Sequence, residues 1–133
     1  MAEKTFTIGE ARAALPKLRH LLAHVREERN LLVKLQPQIN KARAKVEPNG
    51  GSPYGALYLE HAFSFATALE EIEQTGAIIK DFSVGLIDFP YEHEGRIVYL
   101  CWKMDEDDLG WWHEVEEGFS GRQPIEETFE KTN

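Results

Sequence analysis

The chain has 133 residues, of which 29% are charged and 42% are hydrophobic, and its formal net charge is −8. This length suits a single domain, which we predict over residues 1–133. The acidic balance argues against nucleic-acid partners, which need a basic surface, and against docking on anionic membranes. No stretch has the length and apolar character of a membrane span. The single cysteine, Cys101, rules out an internal disulfide and favours a cytoplasmic location.

A capping box predicts where the first helix begins. Thr7 is followed three residues later by Glu10, so each side chain can bond the backbone N–H of the other residue. From there, apolar residues recur every seven positions, which predicts a long helix from about residue 8 to 46. The repeat consists of Ala11, Leu18, Val25, Leu32, Ile39 and Val46. Pro16 and Pro37 are each expected to kink or interrupt this helix, because proline lacks the N–H donor.

A second helix follows a segment rich in Pro, Asn, Gly and Ser. Residues 47–53 predict a mobile loop. Apolar residues at helical spacing then predict a helix over residues 55–75, closed by Gly76. Because the connection is short, we predict an antiparallel helical hairpin over residues 8–75. The apolar stripe of the first helix is longer than that of the second, which predicts a homodimer formed through the hairpin.

The second half of the chain, residues 77–124, has the pattern of a β-rich region. Residues 77–82 predict a short strand, and residues 84–91 and 96–103 predict a β-hairpin with a four-residue turn, Glu92–Gly95. In this register Tyr91 lies opposite Arg96. Both faces are largely apolar, so we expect the hairpin to be covered on both sides.

The remaining segments complete the predicted fold. Residues 110–115 predict another strand after the acidic loop 105–108, with a short helix over residues 111–117 as the alternative. The charged residues 125–133 predict a flexible tail. The fold class is therefore α+β: a long antiparallel helical hairpin followed by a small antiparallel sheet of three or four strands.

Polar residues near the end of the predicted sheet are the candidates for a site. Asp88 is an acid in an otherwise apolar strand, which burial would penalise unless it has a partner. Arg122 could be that partner in a bidentate ion pair. His113 and Glu117 are four residues apart, so they share a face in a helix or a strand. The candidate binding residues are Asp88, Trp102, His113 and Arg122.

Two kinds of chemistry fit these residues. His113, Glu117 and Asp88 could hold a divalent metal such as Zn, Mn or Fe. The alternative is a structural network that ties the C-terminal segment to the sheet, and the chain has no H-E-x-x-H motif to favour the metal. Cys101 is expected to be a buried and unreactive thiol, because nothing adjacent would lower its pKa. The tryptophans are typical of a core or an interface.

Four segments resemble the prokaryotic family named domain of unknown function 2203. They are TFTIGEARAALPKLR (5–19), GLIDFP (85–90), YLCWK (99–103) and WHEVEEGFSGRQP (112–124). The chain departs from the family pattern at residues 104–106, where a glycine followed by an acid would be expected. The resemblance implies a small prokaryotic, cytosolic protein and supplies no activity, so it assigns no catalytic residues.

Three functions follow as hypotheses. The first is an interaction or assembly domain that acts through the helical hairpin. The second is a small-molecule or metal-binding domain centred on Asp88, His113 and Arg122, and the third is a hydrolytic enzyme that uses this metal. We rank the enzyme last, because no Ser-His-Asp or Cys-His arrangement with familiar spacing is present.

Overall fold

The computed structural model describes residues 4–44, 53–125 and 129. The protein is α+β, with two helices followed by one antiparallel sheet. The sheet has five strands rather than the predicted three or four. The predicted mobile loop lies outside the described residues, except that Pro53 begins the second helix.

The first helix, α1, spans Ile8–Ala44 and begins at the predicted capping box. The Thr7 N–H donates to Glu10 Oε1 at 2.8 Å, and the Glu10 N–H donates to Thr7 Oγ1 at 3.0 Å. Of the two predicted effects of Pro16 and Pro37, an interruption does not occur, because α1 continues through both residues. Both prolines are exposed, so the carbonyl groups that lose a donor lie on the solvent side of the helix.

One face of α1 forms the core with the sheet. The first three residues of the predicted repeat, Ala11, Leu18 and Val25, are buried in the first five turns. Other buried apolar residues of α1 lie beside them and are Ile8, Leu15, Leu21 and Leu22. Burial decreases in the distal half, where Val33 is 62% exposed. The proximal half of α1 therefore supports the sheet, and the distal half extends beyond it.

The second helix, α2, spans Pro53–Gln74 and runs antiparallel to α1. His24 of α1 contacts Ser64 of α2 at 2.8 Å, while Glu28, one turn later in α1, contacts His61, about one turn earlier in α2. The two helices therefore form the predicted hairpin. Gly76, with φ of 93°, follows the end of α2 as expected for a C′ glycine.

The strands pair in chain order, each antiparallel to the next. They are β1 (Ile78–Asp81), β2 (Leu86–His93), β3 (Arg96–Lys103), β4 (Trp111–Glu114) and β5 (Gln123–Pro124). The alternative helix over residues 111–117 is therefore wrong. The fifth strand was not predicted, because it has only two residues and one of them is a proline at the sheet edge.

The register of the β2–β3 hairpin differs from the predicted one. His93 lies opposite Arg96 and Tyr91 lies opposite Val98, so the turn contains only Glu94 and Gly95. These residues have φ of 51° and 78°, as a two-residue hairpin turn requires. The predicted four-residue turn was wrong. Since partners shift by two residues, every side chain keeps the face that was predicted for it.

Two residues of the predicted flexible tail are buried. Ile125 and Phe129 belong to the core, and the Phe129 ring lies 4.9 Å from the rings of Tyr91 and Trp112. The other tail residues lie outside the described part of the chain. Among the described helices, neither α1 nor α2 is long and apolar enough to cross a membrane.

Candidate functional site

The two faces of the sheet carry different side chains, because successive residues of a strand point to opposite faces. The face that packs with α1, called here the inner face, carries Ile87, Phe89, Val98, Leu100 and Trp102. The opposite, outer face carries Asp88, Tyr99, Cys101, Trp111 and His113. The candidate site lies on the outer face.

Three outer-face residues converge below the surface. Asp88 and Cys101 lie directly opposite each other on β2 and β3, and His113 lies on β4 opposite Tyr99. One ligand atom from each of Asp88, Cys101 and His113 lies within 4.8 Å of the other two. We call these three residues the Asp–Cys–His cluster. Asp88 is 1% exposed, His113 is 2% exposed and Cys101 is fully buried.

Hydrogen bonds orient the imidazole of His113. Its Nδ1 lies 2.7 Å from the backbone carbonyl oxygen of Glu114, and its Nε2 lies 3.0 Å from Asp88 Oδ2. A carbonyl oxygen can only accept, so Nδ1 must carry a proton. A second proton must lie between Nε2 and Oδ2, in either an ion pair or a neutral pair. Burial raises the pKa of Asp88, and the positive charge on His113 acts in the opposite direction.

The other carboxylate oxygen of Asp88 has no hydrogen bond. Among the described residues, Oδ1 is buried and lacks a partner. The nearby Cys101 thiol is a weak donor. A buried carboxylate oxygen without a strong donor is costly, and it is a free ligand for a cation.

Cys101 is buried, as predicted, and its environment makes it a poor nucleophile. Burial is the main cause that raises the pKa of its thiol to about 12, and the adjacent Asp88 carboxylate adds to the effect. Both nitrogens of His113 already have partners, Glu114 and Asp88. The cluster is therefore not a Cys–His catalytic pair.

Arg122 does not form the predicted ion pair with Asp88. Its Nη2 donates to Glu106 Oε1 at 2.6 Å and to the backbone carbonyl oxygen of Cys101 at 3.2 Å. The prediction was wrong because His113 from β4 reaches Asp88, whereas the acidic loop brings Glu106 to Arg122. Arg122 still borders the cluster through Cys101.

Arg122 also contacts two rings of the outer layer. Its guanidinium carbon lies 5.1 Å from the Trp111 ring centre and 4.6 Å from that of Phe119. Cation–π contacts at these distances are favourable. The guanidinium is thus held by its carboxylate partner, Glu106, and by two cation–π contacts.

The structure separates Trp102 and Glu117 from the cluster. Trp102 is buried on the inner face, and its indole N–H donates to the Glu106 carbonyl oxygen at 3.0 Å. The chain turns after Glu114, where the Glu117 N–H donates to the Glu114 carbonyl oxygen, and Glu117 remains exposed. Because His113 and Glu117 do not lie in one continuous helix or strand, their four-residue spacing does not place them on the same face.

Sequence reasoning missed Cys101 as a member of the cluster. The predicted four-residue turn placed Asp88 opposite Tyr99, whereas the two-residue turn places it opposite Cys101. The available signal in the sequence was the Glu94–Gly95 pair, because glycine suits the second position of a two-residue hairpin turn. In the structure both residues adopt positive φ.

A second polar cluster lies between the helices. Glu28 is buried in the hairpin, its Oε2 contacts His61 Nδ1 at 2.5 Å, and its Oε1 lies 3.8 Å from His24 Nε2. His61 lies at the contact between the two helices, and Glu28 is its partner. This arrangement satisfies a buried carboxylate at the helix contact.

The fold and the site define a small α+β protein in which a helical hairpin supports a five-stranded antiparallel sheet with a buried Asp–Cys–His cluster. The chain belongs to the DUF2203 family, described as an uncharacterized conserved protein, and the match covers residues 4–125. No curated protein and no solved structure matches the chain. The family has no described activity, so the site must be interpreted from its own chemistry.

Proposed function

We propose that the protein is a small domain that binds one divalent metal ion at the Asp–Cys–His cluster. The observation that carries this proposal is the convergence of three different ligand atoms within 4.8 Å of one another. The outer-face positions of Asp88, Cys101 and His113 produce this convergence from three adjacent strands. Thiolate, imidazole and carboxylate are the ligands that zinc uses in proteins.

The chemistry of each ligand supports the proposal. The Nδ1–H of His113 donates to a backbone carbonyl group, which is how metal-binding histidines are commonly oriented for coordination through Nε2. Asp88 has a buried oxygen without a hydrogen bond. A thiolate on Cys101 and a carboxylate on Asp88 would together balance the two positive charges of the ion.

The donor set favours zinc or iron over manganese. Cysteine thiolate is a soft ligand that suits zinc and iron, whereas manganese prefers oxygen ligands. The burial of Asp88, Cys101 and His113 argues against a catalytic ion, which needs an open position for substrate or water, while their three ligand atoms are one fewer than a closed structural zinc site uses. A hydrolytic enzyme is therefore the weaker form of this proposal.

Metal titration of refolded protein tests the proposal. Protein unfolded in guanidinium with chelator, then refolded with excess Co²⁺, is expected to bind one ion per chain and to show a thiolate-to-cobalt charge-transfer absorption band. Refolding is required because the cluster is buried. His113→Ala and Cys101→Ser should both lose the band, and the matched control His93→Ala should keep it. Absence of the band in the wild type, or its persistence in Cys101→Ser, would contradict the proposal.

We further propose a cytoplasmic, prokaryotic setting for this domain. The lone Cys101 is a free, buried thiol, which suits a reducing compartment. A thiolate ligand would also survive best where oxidation is limited. Fractionation of cells that produce the protein, followed by immunodetection, checks the location, and recovery from a secreted fraction would contradict it.

A further inference from the structure

The outward side of α2 exposes two large apolar residues that the fold does not use. Leu59 is 70% exposed and Phe63 is 75% exposed. They are four residues apart and therefore neighbours on one helix face. Phe63 and the buried Ile72 are nine residues apart, which is two and a half helical turns, so they lie on opposite sides of α2.

Small residues flank these two side chains and extend a largely apolar stripe. The α2 outer stripe, as we call it, consists of the exposed residues Ala56, Leu59, Phe63, Ala66 and Thr67. Small residues beside large ones allow another helix to approach closely and to receive the large side chains between its own turns. An exposed apolar stripe of this kind on a protein surface marks an interaction site.

We propose that the α2 outer stripe is the contact between two copies of this chain, packed antiparallel around a two-fold axis that crosses α2 at the level of residue 61, on the side of Leu59 and Phe63. An axis at residue 61 places Leu59 against the partner's Phe63 and Ala56 against the partner's Ala66. Each large side chain thus meets another large apolar one, and small residues meet small residues on either side. The stripe is therefore complementary to itself, as a two-fold contact requires.

The charges of α2 select the antiparallel orientation. The helix contains no Lys or Arg, and Glu70, Glu71 and Glu73 lie near its C-terminus, with no basic residue in the last turn. A parallel pair would bring the carboxylates of both copies together. An antiparallel pair instead places them beside the partner's helix N-terminus, where negative charge is favourable and where α2 has no acidic residue of its own. This contact differs from the predicted one, which relied on the unmatched length of α1.

Sedimentation equilibrium with two matched variants tests the contact. The wild type is expected to be a dimer at tens of micromolar, and Phe63→Glu is expected to raise the dimer Kd by more than about tenfold. The control Val33→Glu, at an exposed position of α1, should leave the Kd unchanged. A monomeric wild type, including one that binds only other proteins, would overturn the proposal. A loss of dimer in Val33→Glu alone would also overturn it and would favour a contact through α1.

The orientation has its own measurement. Spin labels at Glu73→Cys should lie about 36 Å apart along the helix axes, because about 24 residues rise at about 1.5 Å each, whereas a parallel pair would hold them at about 10 Å. The native Cys101 should not take up the spin label, because its thiol is buried. The short distance would refute the antiparallel arrangement. The circular dichroism of monomeric Phe63→Glu is expected to match that of the wild type, because the Phe63 side chain is largely exposed in one copy of the chain.

Discussion

Replacement of Asp88 tests whether its pair with His113 stabilises the sheet. Asp88 is almost fully buried and so is His113, so water cannot replace a lost partner. Asp88→Ala leaves Nε2 of His113 buried and unpaired, and the removal of one member of a buried pair costs about 3–5 kcal/mol of unfolding free energy. The matched variant Asp88→Asn should lose only about 1–2 kcal/mol, because its amide N–H can donate to Nε2 while Nδ1–H still donates to the Glu114 carbonyl oxygen.

Urea unfolding in the presence of chelator measures both losses without any metal contribution. Fluorescence reports the transition, since Trp102 and Trp112 are in the core. With an m value of about 2 kcal/mol/M, the Asp88→Ala midpoint should fall by about 2 M and the Asp88→Asn midpoint by less than about 1 M. The reasoning is refuted if the two variants lose the same free energy, or if Asp88→Ala loses less than about 1 kcal/mol.

Three further outcomes are expected. Burial raises the pKa of Asp88 above its ordinary 3.8, so the part of its stability contribution that depends on protonation is complete below that pH and is lost as pH rises through the folded-state pKa. The stability of wild type relative to Asp88→Asn should therefore fall with increasing pH in urea titrations, and a rise would contradict the assigned shift. The Cys101 thiol, with a pKa of about 12, should resist a thiol reagent at about pH 8 in native protein and react rapidly in denaturant, whereas rapid native reaction would show that it is accessible. Thr7→Ala should lower the unfolding free energy by about 1 kcal/mol through loss of the helix cap, and an unchanged urea midpoint would show that the cap contributes nothing.

The helical half of the fold could be predicted because its signals are local. The bonds between Thr7 and Glu10 join residues three apart, and the apolar repeat from Ala11 to Val25 has the period of the helix itself. Whether the prolines would interrupt the helix was left open, because a rule about one lost hydrogen bond omits the packing around it. Pro16 lies between the buried Leu15 and Leu18, and this burial stabilises the helix across the missing bond.

The candidate site was predicted only in part, because its partners come from different strands. Asp88 and His113 were both identified, since an acid within an apolar strand requires a partner. The partner of Asp88 was decided by which side chain the fold brings to it. His113 reaches Asp88, whereas Arg122 pairs with Glu106. Charge alone could not distinguish between His113 and Arg122.

The residue pattern was sufficient to predict the class of fold, the beginning of α1, the faces of β2 and β3, and the burial of Cys101. These properties follow from periodicity and local hydrogen bonding, which depend on neighbouring residues. The pairing of Asp88 with Cys101 and His113 emerged only from the folded chain. That pairing depends on the two-residue turn at Glu94–Gly95, since a turn with two fewer residues moves every cross-strand partner by two positions.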